Sequence, residues 1–516
     1  MVRGMTEAPP QAGRREWIGL AVLMLPLLLI SMDMTVLYYA VPAISAALTP
    51  TSSELLWILD IYGFVLAGLL VTMGTLGDRI GRRLLLLLGA GAFGVASVVS
   101  AYAHNAGTLI GTRALLGVAG ATLMPSTMAL TRNMFHDAKQ RRTAIGVWMA
   151  VFSSGTALGP LVSGFLLAHF WWGSVFLINV PVMVLLLALG PALLPEFRDP
   201  RPGRFDLLSV VLSMAAILPT IYGIKKAAQD GFGTVPAATI AVGVVLGIAF
   251  ALRQRRRPDP AVDVRLFRGR AFGMAVLVNV LATFALIGYA LFTTQYLQLV
   301  LGLSPLRAAL WSLPVTVVVA AGATVAGQLA RSVRPAYLMA GGLILGAAGL
   351  LVLTQVDAHS GLLLLLVGAG IMASGVVAAM TLTGDMIMTS APPERAGAAS
   401  ALSETANELG GALGIAILGS IGTAVYRRQV ADALPAGLPH DAADAARNTL
   451  GGAVEVAAHL PAQAGAALLE SARVAFSHGL NLVAAIGAAC MALAAAVAVL
   501  RLRQVTAAPP SATRNQ

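Results

Sequence analysis

Five ionisable side chains stand inside stretches that are otherwise apolar: Asp33, Asp60, Arg113, Glu404 and Glu408. A charge in hydrocarbon is costly, so each is a candidate for function. A carboxylate placed there can hold a proton or an organic cation and exchange one for the other. Arginine stays charged at any relevant pH, so Arg113 gives up no proton but can set when a nearby acid does. Asp33, in ISMDMTVLYYAVP, lies about halfway along the first apolar run. It carries protons, or it is the structural partner of Arg113, or both. Asp60 has Trp57 at i−3 and Phe64 at i+4 on its own helical face. That setting suits a lipophilic cation held by charge and by aromatic faces; the competing reading is an interfacial acid within an aromatic belt. Glu404 and Glu408, in SETANELGG, also share a face. Two carboxylates so close do not easily both ionise, which favours sharing a proton; the alternative is a pair that stays hydrated near one mouth. Tyr62, Trp148, Phe152 and Trp311 are either walls of a hydrophobic pocket or ordinary packing. Asn179, Asn279, Gln295 and Gln298 either line a cavity or bond between helices, and Asp206 is placed as an N-cap.

The elements that must position these groups follow from composition. The chain has 516 residues, 58% hydrophobic and 11% charged, with a mean hydropathy of +0.82. A soluble domain carries about 25% charged residues, so this is a polytopic membrane protein. Its net charge of +11 is scattered through short loops. That is a topology signal and gives no reason to expect a nucleic-acid partner. The lone Cys490 allows no intrachain disulfide. No Cys/His cluster has metal-ligand spacing, and no nucleophile elbow or nucleotide loop is present. No metal, cofactor or enzymatic activity is expected.

Fourteen runs are long enough to span a bilayer, which takes about 20 apolar residues. The first lies near 17–47, the thirteenth near 396–425 and the last near 474–501. Of the 34 Lys and Arg, 26 fall on the side of the N-terminus, seven (Lys225, Lys226, Arg307, Arg427, Arg428, Arg447 and Arg473) on the opposite side, and Arg113 within a span. Basic residues favour the cytoplasm, so both termini are expected inside. The long polar interruption at 426–473 is either a helical hairpin over the outer mouth or a surface-lying loop.

Between the second and third runs stands GTLGDRIGRR, residues 74–83. Gly74, Leu76, Asp78, Arg79, Gly81, Arg82 and Arg83 resemble the signature G-x-L-x-D-R-x-G-R-R/K of the major facilitator superfamily. A weaker copy, GQLARSVRP, begins at 327, with Arg331 in place of the acid. The resemblance implies an all-α fold of two six-helix bundles, with two further helices inserted between them. The division is then 1–192, 193–270 for linkers and inserted helices, and 271–516 with the loop 426–473. It also implies that Asp78 meets the start of a second-half helix and holds an inner gate.

Other stretches resemble the fourteen-helix drug:proton antiporters of that superfamily, the QacA-like exporters. Asp33-x-Thr-Val with Ala40 and Pro42 is similar to their first-helix signature, and Arg113 with Gly117 to their R-x-x-x-G element. Gly155, Gly159, Pro160 and Gly164 match the spacing G-x-x-x-G-P-x-x-x-G, which in this superfamily accompanies export by exchange. Glu404 and Glu408 stand nearest to the acids such exporters carry in this helix, Ser403 replaces another, and the tenth run has no acid. The resemblance implies a monomer in a bacterial cytoplasmic membrane, with membrane lipids, protons and small lipophilic cations as partners. It would export drugs and antiseptics in exchange for protons, with proton coupling at Asp33, Arg113, Glu404 and Glu408 and substrate binding at Asp60, Trp57, Tyr62, Phe64, Trp148, Phe152 and Trp311. A dedicated exporter of one antibiotic, an importer or facilitator, and a non-transporting membrane enzyme or receptor are the alternatives.

Overall fold

The computed structural model describes residues 12–198, 206–231, 233–257, 266–330, 332–390, 396–435 and 438–502; Arg331 lies outside them. In hydrocarbon every backbone polar group must be satisfied within the protein, which selects helices for runs this apolar. Fourteen helical spans are present, and no strand occurs among the described residues. The first half comprises α1 (Arg14–Leu48), α2 (Ser52–Ile80), α3 (Arg82–Ala101), α4 (Ala106–Met134), α5 (Ala138–His169) and a broken sixth span, α6 (Ser174–Leu177) with α7 (Asn179–Leu193). The inserted pair is α8 (Leu207–Asp230) and α9 (Thr234–Arg256). The second half comprises α10 (Arg270–Gln295), which runs into a π turn at Tyr296–Val300, then α11 (Pro305–Leu329), α12 (Pro335–Leu353), α13 (Leu362–Ser390) and α14 (Ala396–Ala431). Two short helices, α15 (His440–Asn448) and α16 (Leu450–Ala458), precede the last span, α17 (Ala462–Leu502).

Local sequence starts the helices where polar caps are available. Thr51 and Glu54 form a reciprocal capping box on α2, Asn105 accepts from Thr108 N at 2.8 Å on α4, and Asp137 caps α5. Asp206 caps α8, accepting from Ser209 N at 3.2 Å, and also pairs with Arg253 at 2.9 Å and Arg257 at 3.0 Å. Burial works to raise its carboxyl, but the hydrogen bonds from Arg253 and Ser209 and the charge of Arg257 outweigh that and lower it to about 2. This cluster staples the inserted hairpin at the face where the chain begins and ends, called here the terminal face.

The internal repeat, faint in sequence, is plain in the packing. In the first half α1 packs on α5, α2 on α4, and α3 on α4 and α7. In the second half α10 packs on α14, α11 on α13, and α12 on α13 and α17. The bundles meet along two related seams, α2 with α14 and α5 with α11. The hairpin breaks the symmetry, because α8 lies against both α2 and α14 and so covers one seam only.

Contacts between the bundles gather on the far face, opposite the termini. Tyr39 Oη bonds Ser312 Oγ at 2.9 Å, and Gln298 Nε2, presented by the π turn, donates to Tyr39 O at 3.2 Å. At Gly164 of α5 an added Cβ would lie 2.8 Å from Leu306 Cα, so this glycine is needed for α11 to approach. Of the two readings of 426–473, the described residues follow the helical one: α14 continues to Ala431 and α17 starts at Ala462. The α17 extension, AQAGAALLESAR, is alanine-rich, and the α14 extension, YRRQVA, holds the good helix formers Arg and Gln, so both favour helix even where they leave the apolar layer. Between them α15 and α16 form a hairpin across both bundles. Tyr426 Oη donates to Ala446 O at 2.8 Å, Ser52 Oγ to Asn448 O at 2.6 Å, and Gly451 seats against Ser45 of α1.

Replacing 432–461 by a short Gly/Ser link should leave the spans inserted but weaken closure of the far face. The expected readout is more labelling of a cysteine placed at Ser52 by a membrane-impermeant thiol reagent, in a Cys490-free background. Unchanged labelling would show that the hairpin does not seal.

Candidate functional site

A cavity with an empty volume of about 890 Å³, its open mouth included, lies between the bundles. Asp33, Asp60, Tyr62, Arg113, Phe152, Glu404 and Glu408 all line it. The five ionisable groups separated in sequence are therefore brought to one chamber. Tyr38, Asn407 and Met380 also face it, and no pattern in the sequence singles them out.

Arg113 and Asp33 form a buried ion pair. Nη1 lies 2.6 Å from Asp33 Oδ2, with side-chain exposures of 2% and 5%. The guanidinium also donates from Nε to Ile58 O at 3.2 Å and sits 4.7 Å from the centre of the Tyr62 ring. Its glycines serve α2 more than the arginine itself. A Cβ at Gly117 would lie 2.8 Å from Tyr62 O, and one at Gly120 would lie 3.1 Å from Tyr62 Oη. They let α2 approach α4 closely enough for Tyr62 to lie against Arg113.

Asp60 is also paired, with a partner that its own helix does not reveal. Lys225 of α8, expected as a loop charge outside the membrane, is buried in the structure. Its Nζ lies 2.9 Å from Asp60 Oδ1 and 2.8 Å from Oδ2, and 3.8 Å from the centre of the Trp57 ring. The acid and the aromatic expected to receive an organic cation thus hold an internal one. Phe64 is fully buried where α2, α8 and α14 meet, packed with Ile221, Ala412 and Ala416.

Glu404 and Glu408, half-buried on α14, have no ion-pair partner among the described residues. Glu408 reaches towards the opposite bundle: its Oε2 is 3.8 Å from the position a Cβ on Gly63 would take. Beside them Asn407 accepts a short hydrogen bond from Asn279 of α10, whose Oδ1 accepts from Thr383 of α13 at 3.1 Å. This network fixes the wall that carries the glutamates.

The other expected pocket aromatics divide. Phe152 lines the cavity and stacks on Trp148, with ring centres 5.6 Å apart, while Trp148 turns towards α4 and donates to Thr127 Oγ1 at 3.2 Å. Trp311 of α11 is 49% exposed and is not among the residues lining the cavity. Asn179 bonds Ser97 at 3.2 Å and joins α7 to α3.

The glycine–proline element of α5 forms the contact with α1. A Cβ at Gly155 would lie 2.7 Å from Leu28 O, and one at Gly159 3.0 Å from Met32 O. Pro160 has no N–H, so Thr156 O loses its helical donor. Thr35 Oγ1 fills that position, donating to Thr156 O at 3.1 Å, and Ser163 Oγ donates to Val36 O at 2.9 Å. Thr35→Val should destabilise the protein by about 1 kcal/mol by removing the donor from a part-buried carbonyl. Thermal unfolding in detergent measures this, and an unchanged midpoint would show that the carbonyl is satisfied another way.

On the terminal face Asp78 pairs with Arg82 at 2.6 Å, and Arg79 is exposed. Gly81 closes α2 at φ 115°, a left-handed backbone where glycine is favoured. Gly77 lies under the Arg82 side chain, and Gly74 faces Pro125 of α4. Arg83 donates to Pro191 O at 3.1 Å and Leu194 O at 3.0 Å, and its backbone N–H to Glu196 at 3.1 Å. The motif thus ties the α2–α3 turn to the end of α7 through Glu196, a residue of the stretch expected as linker. Among the described residues the partner of Asp78 is Arg82 of the neighbouring helix, and its expected meeting with the start of a second-half helix is not seen in this arrangement.

The profile of the Major Facilitator Superfamily matches residues 23–415. The chain belongs to this superfamily. It is 46% identical to the multidrug efflux pump LfrA of Mycolicibacterium smegmatis, over 97% of this chain and 99% of that protein. It is 38% identical to the methyl viologen resistance protein SmvA of Salmonella typhimurium, over 91% and 95%. It is 32% identical to a tetracenomycin C resistance and export protein of Streptomyces glaucescens, over 96% and 94%. Its fold resembles an inward-facing bacterial homologue of the human lysosomal transporter Spinster, with a TM-score of 0.67, 18% identity and coverage of 97% of this chain and 100% of that one. Like other members of the superfamily it is a multi-pass membrane transporter, with drug exporters among its relatives.

Proposed function

We propose that this transporter exports lipophilic cationic drugs and antiseptics in exchange for protons across a bacterial cytoplasmic membrane, with both termini inside. The observation that carries the reading is the single chamber between the bundles that holds Glu404, Glu408 and the Asp33–Arg113 pair together. A proton and a cation compete for the same carboxylates, because protonation cancels the charge that holds the cation. Protons arriving from outside discharge the cation, and their loss to the cytoplasm restores the site. The bundles rock about the chamber, as parallel repeats allow. The present arrangement, sealed on the far face, is the loading state, and Asp78 belongs to the gate that closes the terminal face. The basic bias of the loops supports this orientation; burial of Lys225 removes one charge from the outer count and strengthens it. One chain contains the whole chamber, which supports a functional monomer.

The test is substrate-driven proton movement in proteoliposomes, screened over cationic dyes, quaternary ammonium compounds and neutral antibiotics. Acidification or alkalinisation that follows each cationic substrate is the expected result. Flux of substrate with no proton movement would refute coupling. Flux of one antibiotic alone would favour a dedicated exporter, the reading that similarity to a tetracenomycin C export protein supports.

A further inference from the structure

The Asp60–Lys225 pair stands on a boundary. On one side is the central chamber, which Asp60 lines and Lys225 does not. On the other is a narrow crevice, about 240 Å³ with the open solvent at its mouth included, which Lys225 lines and Asp60 does not. The crevice is bounded by Ser52 and Ser53 at the far-face end of α2 and by Ser420 and Thr423 on α14. It therefore lies between the pair and the far face. Among the buried polar atoms here without a hydrogen-bond partner are Asp60 Oδ2, apart from its ion contact with Lys225, and Tyr62 Oη on the chamber side, and Ser420 Oγ on the crevice side, where Arg427 also lines the wall.

The pair has the composition of an occupied ammonium site. One carboxylate and one indole face enclose a single positive charge, with side-chain exposures of 1% for Lys225 and 0% for Asp60. An organic cation is recognised by the same two elements. Lysine is suited to be displaced, because its ammonium is a single point charge on a flexible four-carbon stem. An arginine fork would hold more rigidly. Lys225 comes from the inserted hairpin, which lies across the seam between α2 and α14. The covered seam therefore has an ammonium at the place where a cation would pass.

We propose that the Lys225 ammonium is an internal competitor for cationic substrate at Asp60, displaced towards the far-face crevice when a cation moves out of the chamber. The inference rests on the cation-export reading and adds a specificity-determining residue to it. In the state described, Asp60 is closed to substrate, and loading falls to the unpaired glutamates. During release the cation takes the place of Lys225 against Asp60 and Trp57, and the ammonium moves towards Ser420. Once the cation has left, Lys225 returns to Asp60 and opposes rebinding from outside. A neutral substrate gains nothing from Asp60 and does not need this exchange.

The test is equilibrium binding of tetraphenylphosphonium to the full-length protein in nanodiscs, for wild type, Lys225→Met, Lys225→Arg and the double variant Lys225→Met/Asp60→Asn. Lys225→Met should tighten binding on the order of tenfold, equivalent to the loss of one competing charge. Lys225→Arg should stay near wild type, and Asp60→Asn in the Met background should remove the gain. Thermal unfolding of the double variant, which leaves no charge unpaired, checks that the seam still folds. Wild-type affinity or weaker in Lys225→Met would overturn the inference, as would a gain that survives loss of Asp60. A wild type that binds the cation while Lys225→Met binds no tighter refutes the competitor and leaves cation export standing. Absence of binding in every variant refutes both.

Discussion

Asp33→Asn should abolish uphill transport of every substrate, cationic or neutral. Asp33 is the counter-ion of a permanently charged side chain that is 2% exposed, and its carboxylate is 2.6 Å from Arg113 Nη1. Neutralising it leaves Arg113 with Ile58 O and the Tyr62 ring alone. Breaking a buried pair from one side costs about 3–5 kcal/mol. A fall in the thermal midpoint should therefore accompany the loss of transport. The second variant, Asp33→Asn/Arg113→Gln, separates stability from mechanism by removing both charges. It should recover most of the thermal midpoint and none of the proton-coupled flux. Dye flux driven by a proton gradient in proteoliposomes measures the second quantity. Wild-type flux in the double variant would reduce the pair to a structural contact.

The second large effect is expected at Glu408. The other two carboxylates of the chamber already face a cation, Asp33 with Arg113 and Asp60 with Lys225. Glu404 and Glu408 hold the charge left for an incoming cation, and Glu408 extends towards Gly63 of the opposite bundle. Two unit charges about 4 Å apart interact by roughly 4 kcal/mol at an effective dielectric of about 20. Glu408→Gln should therefore weaken binding of a monovalent cation by up to about a thousandfold, at about 1.4 kcal/mol per decade. A neutral substrate should keep its affinity and lose protons moved per turnover. Glu404→Gln should act in the same direction with a smaller effect, because Glu408 still reaches across. Asp60→Asn is a poorer probe, since it strands Lys225 in a buried site and confounds binding with stability. Titration of a cationic and a neutral ligand against each variant decides the matter. Equal losses for both ligands would mean that the glutamates shape the chamber and do not hold charge.

Much of the fold and of the chamber is legible in the amino-acid sequence, for a physical reason. Bilayer solvation makes hydropathy a direct record of the spans, and a charge in hydrocarbon marks itself. Asp33 and Arg113 can be matched because each needs a partner at a similar depth. Thr35 is visible as part of a motif, but its donation to the carbonyl freed by Pro160 requires two helices in register. Lys225 misleads because a lysine near the end of an apolar run resembles an interfacial anchor. Only the placement of α8 against α2 shows that it points inward. Trp311 and Trp148 follow the same logic. A membrane helix does not announce in its own sequence which side meets its surroundings, another helix or a chamber, and the structure leaves Trp311 exposed outside the chamber and turns Trp148 to α4. The stretch 462–473 reads as a helical piece in its own sequence, but its unbroken continuation into the last span does not, because its residues are too polar to score as part of one.

The cap on the far face also bears on how the molecule is made. Ser52 at the start of α2 is covered by Asn448, 396 residues later in the chain, and Ser45 at the end of α1 by Gly451. Chains emerge and fold from the N-terminus onward. During synthesis the first two helices therefore wait in the membrane, with their outer ends bare, until most of the protein has been translated. The sealed state cannot form in a nascent bundle, however well its six helices pack. The cap is added only after thirteen of the fourteen spans have been made, so a chain cut short before residue 440 would keep the Tyr39–Ser312 and Gly164–Leu306 contacts between the bundles but leave the outer ends of α1 and α2 uncovered.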